Sequence, residues 1–212
     1  MSTVQATNLK HGSSASNNIV LDASGNTTIS GAATISGNAV VTGTLQANGV
    51  TGSVYPLVLG TAQASTSGTA IDFTGIPSWA RRVTVMFNGV STNGTAIPLI
   101  QIGSSSGVET SGYLGAAAMI IAGASAANYT TGAGLATAWA ATILLHGTVQ
   151  INLMTPSTNL WVFSGALSRS DSAAMHFTAA NKALAGALDR VRITTVGGTD
   201  LFDAGSINLL WE

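Results

Sequence analysis

Glycine recurs every six residues along one stretch of this chain, at Gly25, Gly31, Gly37, Gly43 and Gly49. The blocks between them read NTTISG, AATISG, NAVVTG and TLQANG, with Ile29, Ile35, Val41 and Ala47 two places before each closing glycine. So short a period, built from small, β-branched and polar residues, describes a repetitive β-fibre rather than an enzyme core. A single chain cannot close such a repeat here. A β-helix of hexads uses about 18 residues per turn and needs about three stacked turns to bury its core. The hexads present supply little more than one turn. Two further copies of the chain would provide the missing faces, each giving one hexad per turn around a shared three-fold axis. Residues 19–53 are therefore expected to form the stalk of a homotrimer, a short β-helix or β-prism with Ile29, Ile35 and Val41 packed on the axis.

Charge is scarce. Only 7% of the 212 residues are Asp, Glu, Lys or Arg, against about 25% in an ordinary soluble protein. A surface so poor in charge disperses badly unless identical copies or a larger assembly cover it. The formal net charge of −1 gives no basic footprint for nucleic acid. No polybasic or amphipathic helical stretch addresses an anionic membrane. The chain has no cysteine, which removes disulfides and thiolate metal ligands. The opening MSTVQATNLKHGSS lacks the apolar run of a signal peptide. The most hydrophobic span, 114–145, is interrupted by Gly and Asn before it reaches the ~20 residues of a membrane helix. Synthesis in a cytoplasm, without membrane insertion, is the expectation.

Three regions follow from composition. Residues 1–18, with Lys10, His11 and the run GSSASNN, read as an extended arm that orders against a partner. The stalk comes next. From 54 to 212 the period lengthens to that of ordinary strands: Val83, Val85 and Phe87 alternate on one face, and Asn88-Gly89 and Asn93-Gly94 read as turns. Further strands are expected over 97–103, 146–154, 160–167, 175–180, 191–196 and 206–212. Short strands between Gly, Asn, Ser and Pro turns predict an antiparallel β-sandwich, jelly-roll-like in its connections. The Ala-rich span 114–145 suits helix by propensity at 116–127, or a strand or interface loop by its lack of charge.

Catalytic chemistry has little to work with. No GxSxG elbow, HExxH pair or carboxylate-rich loop is present, so no catalytic residue, metal or cofactor is expected. His146 and His176 fall in strands, where a sheet role is the plain expectation. Asp200 and Asp203 are close enough to act together, though a solvated turn explains them. Arg190 and Arg192 alternate along one strand, and pairing with Asp72 or Asp189 accounts for them. The tryptophans read as core anchors. Tyr129, in the segment NYTTGAG, is the residue expected to lie exposed and available for surface recognition.

The opening ATNLKHGSSASNNIVLDASGNTTISG resembles the start of short bacteriophage virion appendages, where an arm precedes a hydrophobic triplet, a DxxGN turn and glycine-rich repeats. The segment GIPSWARRVTVMFNGVSTNGTAIPLIQIGSSSGVETSGYLG is similar to a C-terminal domain recurring in phage fibres. The resemblance implies a homotrimeric tail fibre or head fibre, assembled in the host cytoplasm and located on the virion. It implies an arm anchored to capsid, portal or tail proteins, and a distal domain that meets the host surface, whose glycans are possible partners. It carries no catalytic residues. A capsid decoration or cement protein is the alternative within this class. A carbohydrate-binding module or a polysaccharide depolymerase is the alternative outside it.

Overall fold

Val83, Val85 and Phe87 alternate with Thr84, Met86 and Asn88, which puts three large apolar side chains on one face of an extended strand. All three are buried in the computed structural model, which describes residues 8, 9, 12, 19–21, 27–29, 56–121 and 123–212. The chain divides into two units, Met1–Val54 and Tyr55–Glu212.

In the first unit, β1 (Asn8–Leu9), β2 (Ile19–Leu21) and β3 (Thr27–Ile29) pair antiparallel in that order. Asn8 and Leu9, within the expected arm, stand opposite Val20 and Ile19. Ile29 is 46% exposed in the single chain. Ile35 and Val41, the other residues expected on a trimer axis, lie outside the described residues.

The second unit is all-β. Among its described residues the only helical turn is a 3-10 turn at Pro156–Thr158. Its strands are β4 (Val58–Leu59), β5 (Gln63–Ala64), β6 (Ala70–Thr74), β7 (Arg82–Thr92), β8 (Pro98–Ser104), β9 (Gly107–Val108) and β10 (Leu114–Ile120), followed by β11 (Ala124–Tyr129), β12 (Ala133–Gly134), β13 (Leu145–Thr155), β14 (Leu160–Arg169), β15 (Met175–Ala183), β16 (Arg190–Thr195) and β17 (Phe202–Trp211). A large sheet runs β11-β10-β15-β14-β13-β7-β17-β4, with β5 also on β17. A small sheet runs β12-β8-β16-β6, with β9 also on β8. Every pairing is antiparallel.

One hydrophobic core draws on both sheets. Val83, Val149, Phe163 and Leu209 enter it from the large sheet, and Ile71, Ile100, Ile102, Val191 and Ile193 from the small one. The period-two pattern explains the assignment: in β16 Val191 and Ile193 are buried while Arg190 and Arg192 are partly exposed on the other face. Ala116–Ala127, which propensity allows as helix, forms the hairpin β10–β11 instead. Pairing with β15 decides it. Gly115 sits so close to Ala180 that an added Cβ would come within 2.4 Å of the alanine's own, an approach that glycine permits.

Asn88-Gly89 is not a turn. It lies inside the long strand β7, where Gly89 takes φ +65°. Register slips beside it on both neighbours, between Leu145 and Gly147 of β13 and between Ala204 and Ser206 of β17. The dipeptide's left-handed preference is used for a bulge, which keeps Val90 on the core face after the slip. Gly205 has φ +90°, and a Cβ there would stand 2.3 Å from the carbonyl oxygen of Gly89. Gly205→Ala is therefore expected to destabilise the unit by about 1–3 kcal/mol, read as a lower urea midpoint with an unchanged slope.

Candidate functional site

Side chains that leave the core face of the small sheet build a groove on its opposite side. β6 contributes Ala70, β8 Leu99 and Gln101, and β16 Arg192 and Thr194, while Thr110, Thr131 and the Gly197-Gly198 turn line the remainder. The groove has a volume of about 460 Å³, within the range of small-ligand sites. The register sets Arg192 opposite Asp72. Arg192 Nε and Nη2 donate to Asp72 Oδ1 and Oδ2, both at 2.7 Å. These bonds raise the arginine further above its ordinary range, so this fork is fixed and neutral as a pair. Gln101 is buried, its Nε2 donating to the Thr131 carbonyl at 2.7 Å. Thr194 Oγ1 donates to the Thr69 carbonyl at 2.9 Å. The result is a neutral lining of hydroxyls, an amide and a clamped ion pair over the apolar Leu99. It suits a ligand that both donates and accepts hydrogen bonds.

Other cations are paired likewise: Arg82 with Glu212, Arg169 with Asp171, Lys182 with Glu109 and Arg190 with Asp189. Among the described residues Arg81 alone of the arginines has no carboxylate partner; its Nη1 donates to the Ser78 carbonyl at 3.0 Å. The Lys182–Glu109 pair is the most enclosed. Burial by itself would raise Glu109, but bonds from Lys182 and from the Ala185 N–H outweigh it and hold the carboxyl below its ordinary value. Beside it the buried Tyr113 hydroxyl accepts from the Ile102 N–H at 2.7 Å and donates to the Glu109 carbonyl at 2.9 Å.

Tyr129 is not in an exposed loop. It ends β11 half-buried, and its hydroxyl donates to the Ala136 carbonyl at 2.6 Å. The ring occupies the space a Cβ at Gly134 would fill, 2.3 Å from the nearest ring carbon. The Gly134 and Ala136 contacts explain the placement: with no Cβ at Gly134 the ring can approach the backbone there. A shallow hollow of about 400 Å³ with Leu114, Ala116 and Asn128 remains beside it.

The remaining candidates serve packing. Trp139 Nε1 donates to Thr92 Oγ1 at 2.7 Å, and Trp161 is buried in the core. Asp200 turns inward, Oδ2 accepting from the Ala96 N–H at 2.7 Å, while Asp203 points to solvent. They do not act together. His146 Nδ1 accepts from the bulge residue Gly89 N–H at 3.1 Å. Among the described residues no three His, Cys, Asp or Glu side chains converge to hold a metal ion. Sequence reasoning missed Leu99, Gln101 and Thr194. The alternation of Arg190, Arg192 and Thr194 against Val191 and Ile193 was the available signal.

Compared with protein-family models, curated proteins and solved structures, the chain matches none.

His176 is fully buried on the core face of β15, and neither ring nitrogen has a hydrogen-bond partner among the described residues. Burial pushes its pKa below the ordinary histidine value, the Arg169 guanidinium adds to this, and Asp171 opposes it weakly. Between the folded and unfolded values the unfolded chain therefore binds the extra proton. Stability is whole above the unfolded value of about 6.5, and falls as pH drops below it until the folded value is reached. Denaturant unfolding between pH 7.5 and pH 5 is expected to show that loss, and His176→Leu to flatten it.

Proposed function

We propose that the chain is a structural protein of a bacteriophage virion: a homotrimeric fibre, anchored by its N-terminal arm, whose C-terminal β-sandwich meets the host surface. The observation that carries this reading is the glycine hexad series, which one chain cannot close, placed ahead of a separate β unit with its own core. The exposure of Ile29 in the single chain agrees with a partner copy covering it. Scarce charge agrees with burial in an assembly. Three linked tips multiply weak surface contacts by effective concentration, without new chemistry.

The groove over β6, β16 and β8 favours a second reading, a carbohydrate-binding module. Its lining of hydroxyls and amide fits a neutral polyhydroxyl ligand. The two readings join if the fibre uses this groove for adhesion.

The test is incorporation. The full-length chain is expected to co-sediment with purified particles, and a chain lacking residues 1–18 to stay in the soluble fraction with its far-UV spectrum intact. Equal incorporation of the shortened chain would overturn the anchor, and absence of the full chain from particles would overturn the virion role.

A further inference from the structure

A sheet face left to solvent normally carries polar or charged residues opposite its buried row. One half of the large sheet carries no charge on that face and only four polar side chains, Asn128, Ser164, Ser168 and Asn181. Across β11, β10, β15 and β14 the register aligns Ala126, Ala118, Phe177 and Ala166 in one row on the face away from the core. The adjoining row is Ala124, Ile120, Met175 and Ser168. Two more rows are Asn128, Ala116, Ala179 and Ser164, and Leu114, Asn181 and Val162. No position in these rows is charged. Leu114 is 68% exposed, Ile120 56%, and Met175 and Phe177 each 40%. The face has a boundary: beyond β14 the same side of β13 turns polar, with Thr148, Gln150 and Asn152. The outer strand β11 has neither the lysine nor the proline that blunts natural sheet edges.

We propose that this face is where the Tyr55–Glu212 units of three copies of the chain meet, each turned toward the three-fold axis. The inference rests on the trimeric reading for bringing the copies together. The occupant follows from charge and shape. Burying this surface against a charged partner strands that charge without a counter-ion, which disfavours nucleic acid and anionic head groups. The same face of another copy brings none. Its alanine rows leave it flat enough for sheets to approach to the usual ~10 Å, while Phe177, Ile120 and Leu114 stand out to interdigitate. Four strands about 4.8 Å apart and about 24 Å long outline roughly 450 Å². That is about half of one partner's share in a stable interface, near 800 Å². The contact is thus weak alone and effective only between copies already tethered by a stalk.

Methionine oxidation tests this in the full chain. Met154, 65% exposed on β13 outside the four rows, is the internal reference for Met175. Dilute peroxide followed by peptide mass spectrometry is expected to oxidise Met175 at least about tenfold more slowly than Met154. In Phe177→Lys the two should react at similar rates while chemical cross-linking still captures a trimer. Ala166→Lys, a neighbouring exposed position, gives the same readout if the first variant does not fold. Met175 reacting like Met154 in a chain that cross-links as a trimer overturns the inference and leaves the trimeric reading standing. The same reactivity in a chain that stays monomeric overturns both. Protection that survives the lysine variants assigns the shielding elsewhere and also overturns it.

Discussion

A nine-stranded sheet presents more core face than a five-stranded sheet covers, and the architecture of the Tyr55–Glu212 unit answers that mismatch. The connection between β12 and β13 carries Leu135, Ala136, Trp139 and Ile143 into the core, and Ile76 and Ala80 enter from the link ahead of β7. These non-strand segments bring backbone polar groups with them, which need partners once buried. Leu135 N–H donates to the Pro98 carbonyl, Ile143 N–H to the Ala140 carbonyl and Trp139 Nε1 to Thr92. Tyr113 ties the segment before β10 to β8 in the same way. What the mismatch cannot reach is the outside of the large sheet. There the β10–β11 hairpin and its neighbours remain open in a single copy.

Legibility followed the strength of the local period. Strands with strict alternation, such as the one bearing Val83, Val85 and Phe87 or Ile207 and Leu209, could be placed from residue order because one face had to be buried. Alternation showed that Arg190 and Arg192 share a face and could meet Asp72 or Asp189, but only the register assigns Arg192 to Asp72 and leaves Asp189 to Arg190. The glycines misled where their conformation was right and their context was not. Gly89 takes the left-handed backbone that a turn would use, but it lies inside a strand paired on both sides and forms a bulge. Alanine was the least legible residue. It packs equally well in helix and sheet, so Ala116 and Ala127 were decided by pairing with β15 and β10, which are remote or unreadable in a local window. Tyr129 failed for a related reason: only the fold shows that Gly134 makes room for its ring.

Electrostatics separates the two exposed sheet faces. On the small sheet the charges are gathered and neutralised in place, Arg192 against Asp72 and Arg190 against Asp189. That leaves a polar groove without net charge, suited to recognition. The large sheet's β11–β14 half dispenses with charge altogether, and suits burial. A chain with so few ionisable groups has most of them in ion pairs of its own, three of which join segments far apart in sequence. Little is left to keep separate copies apart, and the fibre reading turns this to use.

Self-association is the claim on which that reading stands. The most direct measurement is the solution mass of the full-length chain, by light scattering after size exclusion, across a range of concentrations. The account predicts a species of about three times the 21.2 kDa chain mass, stable to dilution. A monomer throughout the range would contradict it, because the hexad series would then have no shared axis to close around.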